Sequence, residues 1–83
     1  MAESNDTVAR GHGVFNVVVP VMGARPDSGA IASVSEFSNE QGPTLGIAGL
    51  EVLSVVPAHG VVTVRINVKW DSDLRVRVCA AVL

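Results

Sequence analysis

Aromatic residues are scarce in this chain of 83, which has one tryptophan, two phenylalanines and no tyrosine. Little is therefore available for stacking bases or sugar rings, which counts against a nucleic-acid reader that works by stacking and against a carbohydrate face with Trp70 as its sole platform. Cys79 is the only cysteine, so no intrachain disulfide forms and the stapled secreted mini-domain is excluded. Charge is sparse as well, with six basic and eight acidic residues giving a net −2, too little to steer the whole chain toward a polyanion. The apolar run Val14 to Met22 falls far short of a membrane span and contains Pro20. Met1 to Thr7 is polar, holds Glu3 and Asp6, and lacks the basic and then apolar regions of a signal peptide. The expectation is a soluble protein made in the cytoplasm, without a membrane partner.

Aliphatic side chains are what the sequence has in quantity: 48% of residues are hydrophobic and the mean hydropathy is +0.43. A domain of this length buries only about 60% of the surface its unfolded chain exposes. The apolar content exceeds what so thin a core can use, and partner subunits are the natural cover for the excess.

The clearest pattern lies between Val61 and Leu83. Val62, Val64, Ile66, Val68 and Trp70 alternate with Thr63, Arg65, Asn67 and Lys69, and Leu74, Val76, Val78, Ala80 and Val82 repeat the alternation. The spacing predicts two strands joined at Asp71-Ser72-Asp73 as a C-terminal hairpin, with Trp70 opposite Leu74, Val68 opposite Val76 and Ile66 opposite Val78. Such a register gathers Arg65, Lys69, Arg75 and Arg77 on one outward face, with Lys69 directly across from Arg75.

Taken in order, residues 1–13 have the composition of a polar arm that is mobile alone and so needs a neighbouring subunit to hold it. The single domain then runs over 14–83. Val14 to Met22 reads as a strand, at an edge because Pro20 cannot donate to a ladder. Gly23 to Gly29 reads as a loop. Ala30 to Asn39 sets a possible helical face of Ile31, Val34 and Phe37 behind an Asp27 or Ser28 cap against Gly29, two β-branched residues and serines at 28, 33, 35 and 38, and the poor helix propensity of the whole favours a strand. Gln41-Gly42-Pro43 is a break before a short strand over Thr44 to Ala48. Leu50 to Val56 is a further strand whose inner face is ambiguous, since Val52 and Val56 compete with Leu53 and Val55. It pairs with Val61 to Trp70 through a turn that has Pro57 at its second position and Gly60 at positive φ. These segments make an all-β fold, a small antiparallel β-sandwich or β-barrel of about six short strands.

Chemistry-bearing groups are few. His12, His59 and Cys79 are not spaced as zinc ligands. His59 belongs to an exposed turn, and Cys79 packs as a small residue beside Arg77. A Cys79 nucleophile has no orienting third group. Asp71 and Asp73 form a solvated turn lacking the glycine and distal glutamate of a calcium loop. Neither Gly11-His12-Gly13 nor Gly42 to Gly49 carries a phosphate-binding ending. No catalytic residue, cofactor or metal is expected. The binding candidates are Arg65, Lys69, Arg75 and Arg77, which suit an acidic protein surface first and nucleic acid second. The functional expectation is a non-enzymatic, homo-oligomeric assembly subunit, such as a shell, tail or decoration component of a virion. The alternative is a small binding module that uses the basic face.

Overall fold

Valine-rich segments with period-two alternation can bury one face only by pairing into sheets and stacking them. The structure, a computed structural model, describes residues 3–38, 42–44 and 49–83. It contains strands β1 (Glu3–Gly11), β2 (Gly13–Pro20), β3 (Ala30–Ser38), β4 (Gly42–Thr44), β5 (Gly49–Ala58), β6 (Val61–Lys69) and β7 (Leu74–Val82). They form two antiparallel sheets, one ordered β1-β7-β3-β4 and the other β2-β6-β5. The backbone measures 35 × 25 × 14 Å along its principal axes, and the short dimension is that of two stacked sheets. The all-β expectation is met, and 30–38 is strand. The expected strand over Thr44 to Ala48 falls, beyond Thr44, outside the described residues.

The alternation between 61 and 83 assigns faces correctly, because Val62, Val64, Ile66 and Val68 are buried together with Val76, Val78, Ala80 and Val82. The C-terminal hairpin does not form. β6 and β7 lie in different sheets, each with partners on both sides, and residues 70–73 carry the chain across the core from one to the other. A period of two fixes which side of a strand faces inward but not which strand lies beside it. Two apolar faces meet equally well within one sheet or across a sandwich. The pairings Trp70–Leu74, Val68–Val76 and Ile66–Val78 are replaced by Val68 with Gly13 and Leu50, Ile66 with Phe15 and Val52, and Val78 with Thr7 and Val34. Trp70 leaves the ladder, donates its backbone N–H to the Val68 carbonyl at 2.9 Å and stays partly exposed.

The polar segment expected to be an arm is instead an integral strand. β1 pairs with β7 over nine residues, from Glu3 opposite Val82 to Gly11 opposite Leu74. Its polar sequence reflects an edge position, where one side of the strand meets solvent. Only Ala9 of this strand packs on the core as a partly buried apolar group.

β2 is an edge strand, as Pro20 requires, and its last pair is Pro20 with Val61. The ambiguous inner face of β5 has a structural cause. The register slips between Val52 and Ser54, so Leu53 is an extra residue and the inward positions fall at Leu50, Val52, Val55 and Pro57 rather than at a strict spacing of two. Pro57 therefore lies within the strand opposite Val62, not in the turn. The turn depends on Gly60 at φ 77°. Its N–H donates to the Ala24 carbonyl at 2.9 Å, and its own carbonyl accepts from Val21 N–H at 3.0 Å. A Cβ at Gly60 would meet nothing within 4 Å, so Gly60→Ala carries only the backbone cost, on the order of 1–2 kcal/mol. Equilibrium denaturation measures it, and an unchanged midpoint would contradict the assignment.

Candidate interaction surfaces

Cross-strand partners share a face, so the registers place the outward side chains of the described, paired strands. On the β2-β6-β5 sheet the outer rows are Val14–Asn67–Glu51, Asn16–Arg65–Ser54 and Val18–Thr63–Val56. On the other sheet they are Ser4–Ala81–Ile31, Asp6–Cys79–Ser33 and Val8–Arg77–Ser35, followed by Arg10 opposite Arg75.

The four cations expected on one face are therefore split. Arg65 and Lys69 point outward from β6, while Arg75 and Arg77 point outward from β7 on the opposite side of the sandwich. The cause is again the crossing at 70–73, since residues outward on the two strands lie back to back once β6 and β7 face each other. Lys69 is not across from Arg75, whose partner on β1 is Arg10.

Arg65, Lys69 and Arg77 are each held by a neighbour on their own face. Arg65 Nε donates to Asn16 Oδ1 at 3.0 Å. Lys69 Nζ stands 3.2 Å from Glu51 Oε1, which also accepts from Asn67 Nδ2 at 3.1 Å. Arg77 Nε donates to Asp6 Oδ2. The hydrogen bond from Lys69, followed by that from Asn67, holds the Glu51 carboxyl below its ordinary value. A carboxyl lowered in the folded state contributes its stability at neutral pH and loses it as pH falls through the folded value, below the usual carboxylate range. The Asp6 carboxylate likewise raises the already high pKa of Arg77. All these groups are at least partly exposed, so salt screens the pairs.

His12 lies at the corner where the chain passes from β1 to β2, and its Nδ1 is 2.6 Å from Asp73 Oδ1 in the loop between β6 and β7. Asp73 is thus held, not merely solvated. Cys79 is a half-buried free thiol on the outer face. It lies in a shallow depression of about 170 Å³ formed with Ser4, Ile31, Ala32, Ser33, Ala80 and Ala81. A second depression, about 200 Å³, is lined by Asn16, Ser54, Val56, Thr63 and Arg65. Among the described residues no three His, Cys, Asp or Glu side chains gather as a metal site, and no helix is long and apolar enough to cross a membrane.

Sequence reasoning missed Arg10, because a segment read as an arm has no register. The signal was present in the alternation of Asp6, Val8 and Arg10 with Thr7 and Ala9, but it was too polar to read as a buried pattern. No protein family, curated protein or solved structure matches this chain.

Proposed function

We propose that the chain is a non-enzymatic subunit of a larger assembly, making its contacts through the outer faces and edges of the two sheets. The observation that carries this reading is the exposure of β-branched residues on strands: Val8 at 47%, Val14 at 59%, Val18 at 53%, Ile31 at 58% and Val56 at 54%. Scattered apolar residues are ordinary at a surface, but these stand on both outer faces, where an isolated antiparallel sheet normally presents polar side chains. The setting we favour is a particle built of repeated subunits, such as the shell, tail or decoration layer of a virus. Native mass measured from micromolar to millimolar should rise above one chain with concentration. A single-chain mass throughout would defeat the proposal.

The second reading is a module that contacts phosphates, favoured by the proximity of Arg10, Arg75 and Arg77 on one face. Division of the cations between opposite faces weakens it. Mixed-sequence DNA and RNA at two salt concentrations should show no steep, salt-sensitive association. Salt-sensitive binding near micromolar that is lost in Arg75→Glu with Arg77→Glu would promote this reading over assembly.

A further inference from the structure

We infer that the β1/β2 side of the sandwich is a self-complementary edge that pairs two copies of this chain about a two-fold axis, β1 against β1 and β2 against β2. The inference rests on the assembly reading and names its contact surface.

Of the four edge strands, β1, β2 and β5 differ in how they are guarded. Natural sheets protect open edges with charge, proline or a bulge. β5 has the bulge at Leu53 and carries Glu51 and Pro57. β1 carries Glu3, Asp6 and Arg10. β2 has no charge, keeps an unbroken register over eight pairs and exposes Val14 and Val18, with Pro20 only at its end. An uncharged, unbroken edge of this kind is a ready template for another strand.

The backbone shows which groups are available. Val21 N–H donates to Gly60 O just beyond the Pro20–Val61 pair. By the alternation of an antiparallel ladder, Val19, Val17 and Phe15 then turn their N–H and C=O toward β6, and Val14, Asn16 and Val18 turn theirs outward. Pro20, which has no N–H, falls on the outward set, and its carbonyl accepts from Asn5 Nδ2 at 2.8 Å. On the other sheet Leu83 N–H donates to Gly29 O beyond the Ala30–Val82 pair. Arg77, Cys79 and Ala81 therefore face β3, Val76, Val78 and Ala80 face β1, and Ser4, Asp6, Val8 and Arg10 of β1 are directed outward.

The two edges share one centre. Asn5 lies beside Pro20 at one end and the chain turns at His12 at the other, so Val8 and Asn16 sit near the middle of their strands. A two-fold axis through that middle sets Asp6 against the partner's Arg10, Val8 against the partner's Val8, Val14 against the partner's Val18 and Asn16 against the partner's Asn16. Each strand pair then has three facing positions, each able to exchange two hydrogen bonds. No like charges oppose one another. The partner's Asp6 carboxylate, while accepting from its own Arg77, then stands opposite Arg10. An isologous contact needs this self-complementarity.

Native mass spectrometry on the full chain tests the edge with three variants. Val18→Pro removes an outward N–H and leaves the bonds to β6 intact, so it should weaken dimerisation about tenfold or more, the scale of one or two lost hydrogen bonds. Arg10→Asp and Asp6→Arg should each weaken self-association, and mixing the two variants should restore the dimer as a heterodimer, because both crossing ion pairs are then complementary. If wild type associates while Val18→Pro and Arg10→Asp dimerise equally well, or if the mixture fails to pair, this edge is wrong and the assembly reading survives. Wild type that stays monomeric to millimolar concentration overturns both.

Discussion

A chain truncated to begin at His12 should lose its cooperative unfolding transition. β1 supplies a full flank of β7, nine residue pairs long, and its removal leaves the inward ladder groups of a central strand facing water while uncovering one side of Val76, Val78 and Ala80. A domain of this length has a total stability of about 4–12 kcal/mol, and each net backbone hydrogen bond contributes about 0.5–1.5 kcal/mol, so losing the flank exceeds a large part of the margin. A detachable arm predicts the opposite, with β content and melting midpoint unchanged. Circular dichroism against temperature distinguishes the two, and a truncated chain melting at the wild-type midpoint would remove β1 from the fold.

Ile66→Ala should be among the most damaging single substitutions in the core, at about 2–5 kcal/mol. Ile66 is fully buried at the centre of β6, paired with Phe15 on one side and Val52 on the other, so its neighbours are held by two ladders and cannot collapse into the space. Val56→Ala, on the outer face of the same sheet, should lie within about 0.5 kcal/mol of wild type. Paired denaturant titrations give both values. Similar losses at the two positions would mean that the inner and outer faces of the β2-β6-β5 sheet had been misassigned.

Most of the fold was legible because burial imposes alternation, and alternation survives in Val62 to Val68 and Val76 to Val82 wherever one face is dry. Pro20 and Gly60 were legible for a different reason, since each removes or permits a specific backbone state. Strand partners were not legible. The crossing at 70–73 leaves no mark in the period of the residues on either side, so Arg65 and Lys69 were assigned to the face of Arg75 and Arg77 when they stand opposite it. The bulge at Leu53 was visible only as a conflict between two candidate faces. β1 was hidden by its polarity, because an edge strand that faces solvent on one side need not look like a strand, and Arg10 was hidden with it.

The pairing of β1 with β7 joins the first strand of the chain to the last, and it governs how the molecule reaches its native state. During synthesis the β5–β6 hairpin can form early from neighbouring residues, but Glu3–Gly11 has no ladder to enter until Leu74–Val82 has left the ribosome. The β1-β7-β3 sheet therefore closes in one late step across nearly the whole chain length. Long-range closure of this kind places folding on a timescale of roughly milliseconds to seconds. Until then the β1 and β7 ladder groups are open to whatever strand arrives first.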